Sequence, residues 1–169
     1  MSLDVSARYG RAVTGSSTNR VRAEVAGTVL TVLGGAAVLV AFVGLNWLPQ
    51  HNSTLSDVHD RLTGLGHFAS GMSELYFAWL AWVLFGALLV VAVLANLPVP
   101  GSRVLGLFGT VLALAAIALS FWALNLLTTG HPGYSDYLRN ARGGFYVAVS
   151  GFLVMGLGAA IGAYRRARD

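Results

Sequence analysis

The sequence predicts an all-α membrane protein: four transmembrane helices in an up-down-up-down bundle, with a short amphipathic helix in the first outer loop. Three observations carry that expectation. Asp, Glu, Lys and Arg are absent from Val25–Ser56, Leu75–Ser102, Val104–Ser135 and Gly143–Tyr164. Charged residues make up only 11% of the chain and hydrophobic residues 56%, whereas a soluble domain is about 25% charged. The prolines (Pro49, Pro98, Pro100 and Pro132) all fall where spans should end, and proline cannot continue a helical ladder.

Taken in order, residues 1–22 are rich in Arg, Ser, Thr and Gly. With little to bury, they should form a mobile cytoplasmic tail. The membrane domain is expected over 23–164, with spans at about 25–48, 75–97, 104–128 and 144–164, each supplying the roughly 20 apolar residues a bilayer crossing needs. The first span follows a long polar segment, unlike a cleaved secretion signal, and reads as a retained signal-anchor. Residues 165–169 form a basic cytoplasmic tail, in which Arg165, Arg166 and Arg168 suit anionic inner-leaflet lipids.

With the chain ends inside, eight arginines lie on the cytoplasmic side and only Arg61, Arg139 and Arg142 outside. The positive-inside rule therefore favours cytoplasmic termini. All eleven basic residues are arginine and none is lysine, which points to a GC-rich bacterial genome; the expected location is the bacterial plasma membrane. The pI near 10.0 comes mostly from the tails, and no basic face suited to nucleic acid is visible.

Small residues recur at helical spacing: Gly34, Ala37, Ala41 and Gly44 in the first span, Gly106, Gly109, Ala113 and Ala116 in the third, and Ala148, Gly151, Gly158 and Gly162 in the fourth. Lipid tails are as apolar as leucine, so close approach through such residues is what holds membrane helices together. These are the expected packing seams. Asn46 and Asn125, near the outer ends of their spans, are candidates for an interhelical hydrogen bond. Trp47, Trp79, Trp82 and Trp122, with Tyr76 and Tyr146, collect in the outer thirds of the spans. They are expected to form an interfacial aromatic belt, or the wall of a groove.

The first outer loop has structure of its own. Thr54-Leu55-Ser56-Asp57 has the spacing of a capping box. Leu55, Val58, Leu62 and Leu65 then form an apolar stripe opposite Asp57, Asp60, Gly64 and His67. An amphipathic helix over about 55–68, lying on the outer membrane face, is the result.

All four histidines are on this outer side. His59, His67, Asp60 and Glu74 are the candidate ligands for a metal. His59 and His67 are eight residues apart, not the four that present two imidazoles on one helical face. No histidine lies within a span, which argues against haem held between helices. The absence of cysteine excludes disulfides, thiolate metal sites and thiol redox chemistry. No charged residue occupies the middle of a span, where proton relays and ion pathways place them, and neither a catalytic set nor a phosphate-binding loop is identifiable.

The expected function is a non-catalytic accessory or scaffold subunit of a larger bacterial cell-envelope membrane complex, respiratory, lipid-transporting or cell-wall-building, partnered by other membrane subunits and lipids and needing no cofactor. The alternatives are a small transporter or oligomeric channel for uncharged solutes, and an outer-leaflet protein binding lipid, quinone or metal. A four-span arrangement is shared by unrelated proteins and transfers no function by itself.

Overall fold

A computed structural model describes residues 25–47, 53–64, 72–97, 100–128 and 141–165. The expected tail over 1–22, most of the second outer loop, His67, Arg166 and Arg168 lie outside the described residues. Four helices are long and apolar enough to cross a membrane: α1 (Val25–Val43), the run Tyr76–Asn96, and segments Ser102–Asn125 and Gly143–Ala163. The last two belong to longer helices, α5 (Ser102–Thr128) and α6 (Gly143–Arg165). Between the first two spans come α2 (Leu55–Gly64) and a single turn, α3 (Met72–Leu75). A π-helical turn, Tyr76–Leu80, then leads into α4 (Ala81–Asn96). No strand occurs among the described residues. The chain is an all-α, multi-pass membrane bundle.

The helix ends follow local chemistry. The predicted capping box closes at α2: Thr54 N–H donates to Asp57 Oδ2 (2.9 Å), and Asp57 N–H donates to Thr54 Oγ1 (3.1 Å). α4 stops at Asn96, where Leu97 turns extended. Gly101 then takes a positive φ of 87°, a conformation glycine adopts without steric penalty. Its carbonyl accepts Leu105 N–H (3.1 Å) at the start of α5.

Helix α6 is the centre of the bundle. It is the span with the largest buried share, 50%, and it has two glycine-bearing faces. On one, a Cβ added at Gly151 would lie 2.8 Å from Gly34 O, and one at Gly158 would lie 2.9 Å from Gly27 O. The two contacts are seven residues apart on both helices, so α1 and α6 run antiparallel in register. The same face continues to Gly162, where a Cβ would come within 2.9 Å of Ala95 O on α4. On the other face, Gly156 meets Ala113 of α5, while Ala159 and Ala163 fit against Gly109 and Gly106. Helices α1, α4 and α5 all sit against α6.

The two ends of the bundle use different packing. Beyond Gly27, Ala92, Ala95, Gly106, Ala159 and Gly162 bring backbones together near Gly101. There the Asn96 amide ties three helices, its Nδ2 donating to Ala92 O (2.8 Å), Thr31 Oγ1 (3.2 Å) and Gly158 O (3.4 Å). Thr31 in turn donates to Gly27 O (3.0 Å). At the α2 end the interior is aromatic: Phe42, Trp47, Phe77, Phe121, Phe145 and Phe152 are linked by edge-to-face contacts with centroids 5.0–6.2 Å apart. Buried Tyr76 and Ser120 share a 2.6 Å hydrogen bond, and Ser120 also donates to Ala116 O (2.7 Å).

These contacts rank the glycines. Gly34→Ala and Gly151→Ala each push a methyl against the opposing backbone within 2.8 Å, while a Cβ at Gly86 meets nothing within 4 Å. Each of the first two is expected to cost about 1–3 kcal/mol by overpacking; Gly86→Ala should not destabilise. Thermal unfolding of the three variants in one detergent tests this ranking. Equal midpoints for all three would refute the assigned α1–α6 contact.

Candidate functional site at the α2 end of the bundle

The residues singled out in the sequence are brought together only in part, and the chain's path out of α1 determines which. The helix ends at Val43, earlier than the expected limit near 48, and Gly44 N–H closes its last turn on Val40 O (2.8 Å). Trp47 is thus outside the helix and free to fold back. Its indole Nε1–H donates to Ala41 O (2.7 Å), one of the carbonyls a helix C-terminus leaves unpaired. Its backbone N–H donates to Ser53 O (3.0 Å), and its own carbonyl accepts Arg142 N–H (3.4 Å). Gly144 provides room for the ring, since a Cβ there would lie 2.5 Å from it. Trp47 is only 1% exposed. It is a buried plug joining α1, the first loop and α6, not a member of an interfacial belt.

The other tryptophans divide. Trp79 is 57% exposed and Trp122 42% exposed. Trp82 is half-buried, its ring edge-on to Phe42 with centroids 5.0 Å apart. Its indole N–H is buried and has no hydrogen-bond partner among the described residues.

His59 reaches down from α2 into this cluster. Its Nδ1–H donates to the carbonyl of Ala78, within the π turn. Its ring lies edge-on to Trp79 (5.0 Å) and near Trp82 (6.3 Å). A carbonyl can only accept, so this bond places the proton on Nδ1 and leaves Nε2 of the neutral ring as an acceptor. The wider π turn, closed by Ala81 N–H on Tyr76 O, alters the carbonyl pattern that a regular helix would consume internally. Thus α2 is docked on the start of the second span through a histidine, beside two indoles.

No protein-family model matches this chain, and no curated protein or solved structure is detectably similar to it.

The site's chemistry must therefore be read from its own atoms. Asp60 is exposed, and Glu74 is half-buried. No group of three His, Cys, Asp or Glu side chains capable of holding a metal occurs among the described residues. Asn46 is exposed, with its main-chain carbonyl accepting Gly144 N–H (3.0 Å); Asn125 is half-buried. Asn96, at the opposite end, links three spans. Of the first-span seam, Gly34 and Ala41 are buried, Gly44 is exposed in the turn, and Ala37 lines an open groove between α1 and α6.

Sequence reasoning left three features unassigned: the π turn, the Asn96 clasp and that groove. Of these, only the clasp had a signal, in a polar residue opposite Thr31 at the matching depth of another span.

Trp47 and Trp82 make a paired test. Trp47→Phe deletes a donor that serves the end of α1 and should lower stability by about 1 kcal/mol or more. Trp82→Phe keeps a ring against Phe42 while removing a donor with no described acceptor, so stability should be unchanged or higher. Matched unfolding curves decide it, and greater damage from Trp82→Phe would overturn the assignment of roles.

Proposed function

We propose that this chain is a non-catalytic accessory or scaffold subunit of a larger membrane assembly in the bacterial cell envelope. It is seated in the plasma membrane with both termini in the cytoplasm. The observation that supports this most directly is the closely packed, uncharged core of the described residues. Its buried polar side chains among the described residues are Thr31, Ser53, Ser102 and Ser120, with the Tyr76 hydroxyl bonded to the last. None is charged. A solute path along the α6 seams or through the aromatic cluster would have to displace them, which favours the subunit reading over the channel.

The orientation rests on the arginines. Arg103 lies beside the Gly101 turn and Arg165 at the end of α6, at the same end of the bundle. Arg142 lies at the other. Partners of this subunit are other membrane helices, with anionic lipids at Arg165, Arg166 and Arg168. One specific observation favours a second reading, outer-leaflet binding of lipid, quinone or metal: His59 is held with Nε2 as its acceptor, next to an exposed indole.

Two measurements follow. The chain, tagged at its native expression level and extracted in mild detergent, should co-elute with larger membrane proteins; recovery as a free monomer alone would count against the subunit reading. The chain lacks cysteine, so Asp60→Cys and Pro100→Cys, both at exposed positions, test the topology. A membrane-impermeant maleimide added to intact cells should label the first and spare the second. The reverse pattern would invert the orientation.

A further inference from the structure

We infer that the groove between α1 and α6 is a seat for one acyl chain of a glycerophospholipid from the leaflet on the α2 side. The groove has a volume of about 420 Å³ and is lined along α1 by Leu30, Leu33, Gly34 and Ala37, and along α6 from Tyr146 to Val154. Its floor is the Gly34–Gly151 crossing, where the two backbones meet. Leucine and valine make its walls, and no charged residue lines it.

Its dimensions choose among occupants. The nine residues of α6 from Tyr146 to Val154 cover roughly 12 Å at the helical rise. That approaches the ~15 Å depth of one hydrocarbon leaflet. A volume of about 420 Å³ over roughly 12 Å leaves a mean cross-section near 35 Å². A helix with side chains is about 10–12 Å across and needs more than twice that section. A single hydrocarbon chain, with carbon contacts at about 4 Å, needs roughly half of it. The slot therefore accepts a chain lengthwise but only the tips of a helix's side chains.

The polar groups agree with a lipid entering from the α2 side. Tyr146 stands at the mouth, one turn from the start of α6, and is 47% exposed. A phenol at that depth suits the glycerol-ester region, where amphipathic rings concentrate. Below it the wall is hydrocarbon except for Ser150. A chain in the slot meets two walls and a floor, whereas bulk lipid meets one convex helix face, so dispersion contacts favour the slot.

The full-length protein, reconstituted in phosphatidylcholine vesicles with a trace of phosphatidylcholine bearing a mid-chain diazirine, tests this directly. After photolysis, lipid adducts should be severalfold denser on residues 30–37 than on 104–111. That second stretch is a lipid-exposed face of similar aliphatic composition, with Val104, Leu107 and Val111 exposed. Ala37→Leu or Ser150→Leu should remove the excess while leaving the α5 adducts unchanged. Because the comparison of the two faces uses the unaltered chain, it stands even if a variant misfolds. Equal labelling of the two faces would overturn the proposal. So would competition of the adducts by an isoprenoid quinone but not by phospholipid, or crosslinking of an unlabelled slot cysteine (Ser150→Cys) to a second copy in preference to lipid.

Discussion

The close passage of α1, α4 and α5 against α6 is the contact on which the rest of the molecule depends. In water, burial of apolar faces would assemble these helices. In a bilayer the lipid tails satisfy those faces equally well, and association rests on packing and hydrogen bonds. Gly151, Gly158 and Gly162 on one face of α6, and Gly156, Ala159 and Ala163 on the other, let neighbours approach to backbone contact. The large residues Val32, Leu33, Val83, Val90, Leu107 and Leu114 are correspondingly left exposed on the outside of the bundle. The apolar composition therefore explains where the chain resides. The small residues explain its shape.

Much of the fold was legible because each legible feature is governed by a local rule. Charge is excluded from hydrocarbon, so the spans could be counted. Capping geometry is set by residues three apart, so Thr54 and Asp57 located the start of α2. The spacing of Gly34, Gly151 and Gly158 marked faces that favour close packing, but spacing cannot name the neighbour. That α6 serves three partners with two faces emerges only when all four helices are assembled. Trp47 shows the same limit. Enrichment of tryptophan at membrane boundaries places it in a belt, whereas an α1 ending at Val43 releases it to cap Ala41 and fill the space left by Gly144. The π turn has no such local signature in Tyr76–Leu80. It is visible only through its consequence, an Ala78 carbonyl bonded to a histidine nineteen residues earlier.

The candidate site was legible to a similar degree. The collection of His59, Trp79 and Trp82 at the α2 end is a real neighbourhood, since α2 is amphipathic and lies against the span that follows it. The chemistry at its centre differs from a metal-ligand pattern. The histidine spends one ring nitrogen on a backbone carbonyl, and no group of three possible metal ligands occurs among the described residues. Such an arrangement fastens a surface helix to the bundle and sets the histidine's tautomer. It gives the α2 end a defined polar surface.

Register is specified twice, and this bears on what the bundle can do. Sliding α1 along α6 by one turn would take Gly27 and Gly34 out of step with Gly158 and Gly151, setting side chains where backbones now touch. The same slip would pull Thr31 away from the Asn96 amide. A membrane hydrogen bond of this kind contributes only about 0.6 kcal/mol, so Asn96 matters less as a source of stability than as a mark that only one alignment satisfies. Movement of the type used by alternating-access transporters needs two packings of similar energy. The glycine contacts and the Asn96 clasp both penalise the second packing. A bundle locked in this way keeps its exterior features, the α2 platform and the α1–α6 slot, at constant positions around its circumference, which is the property a scaffold requires.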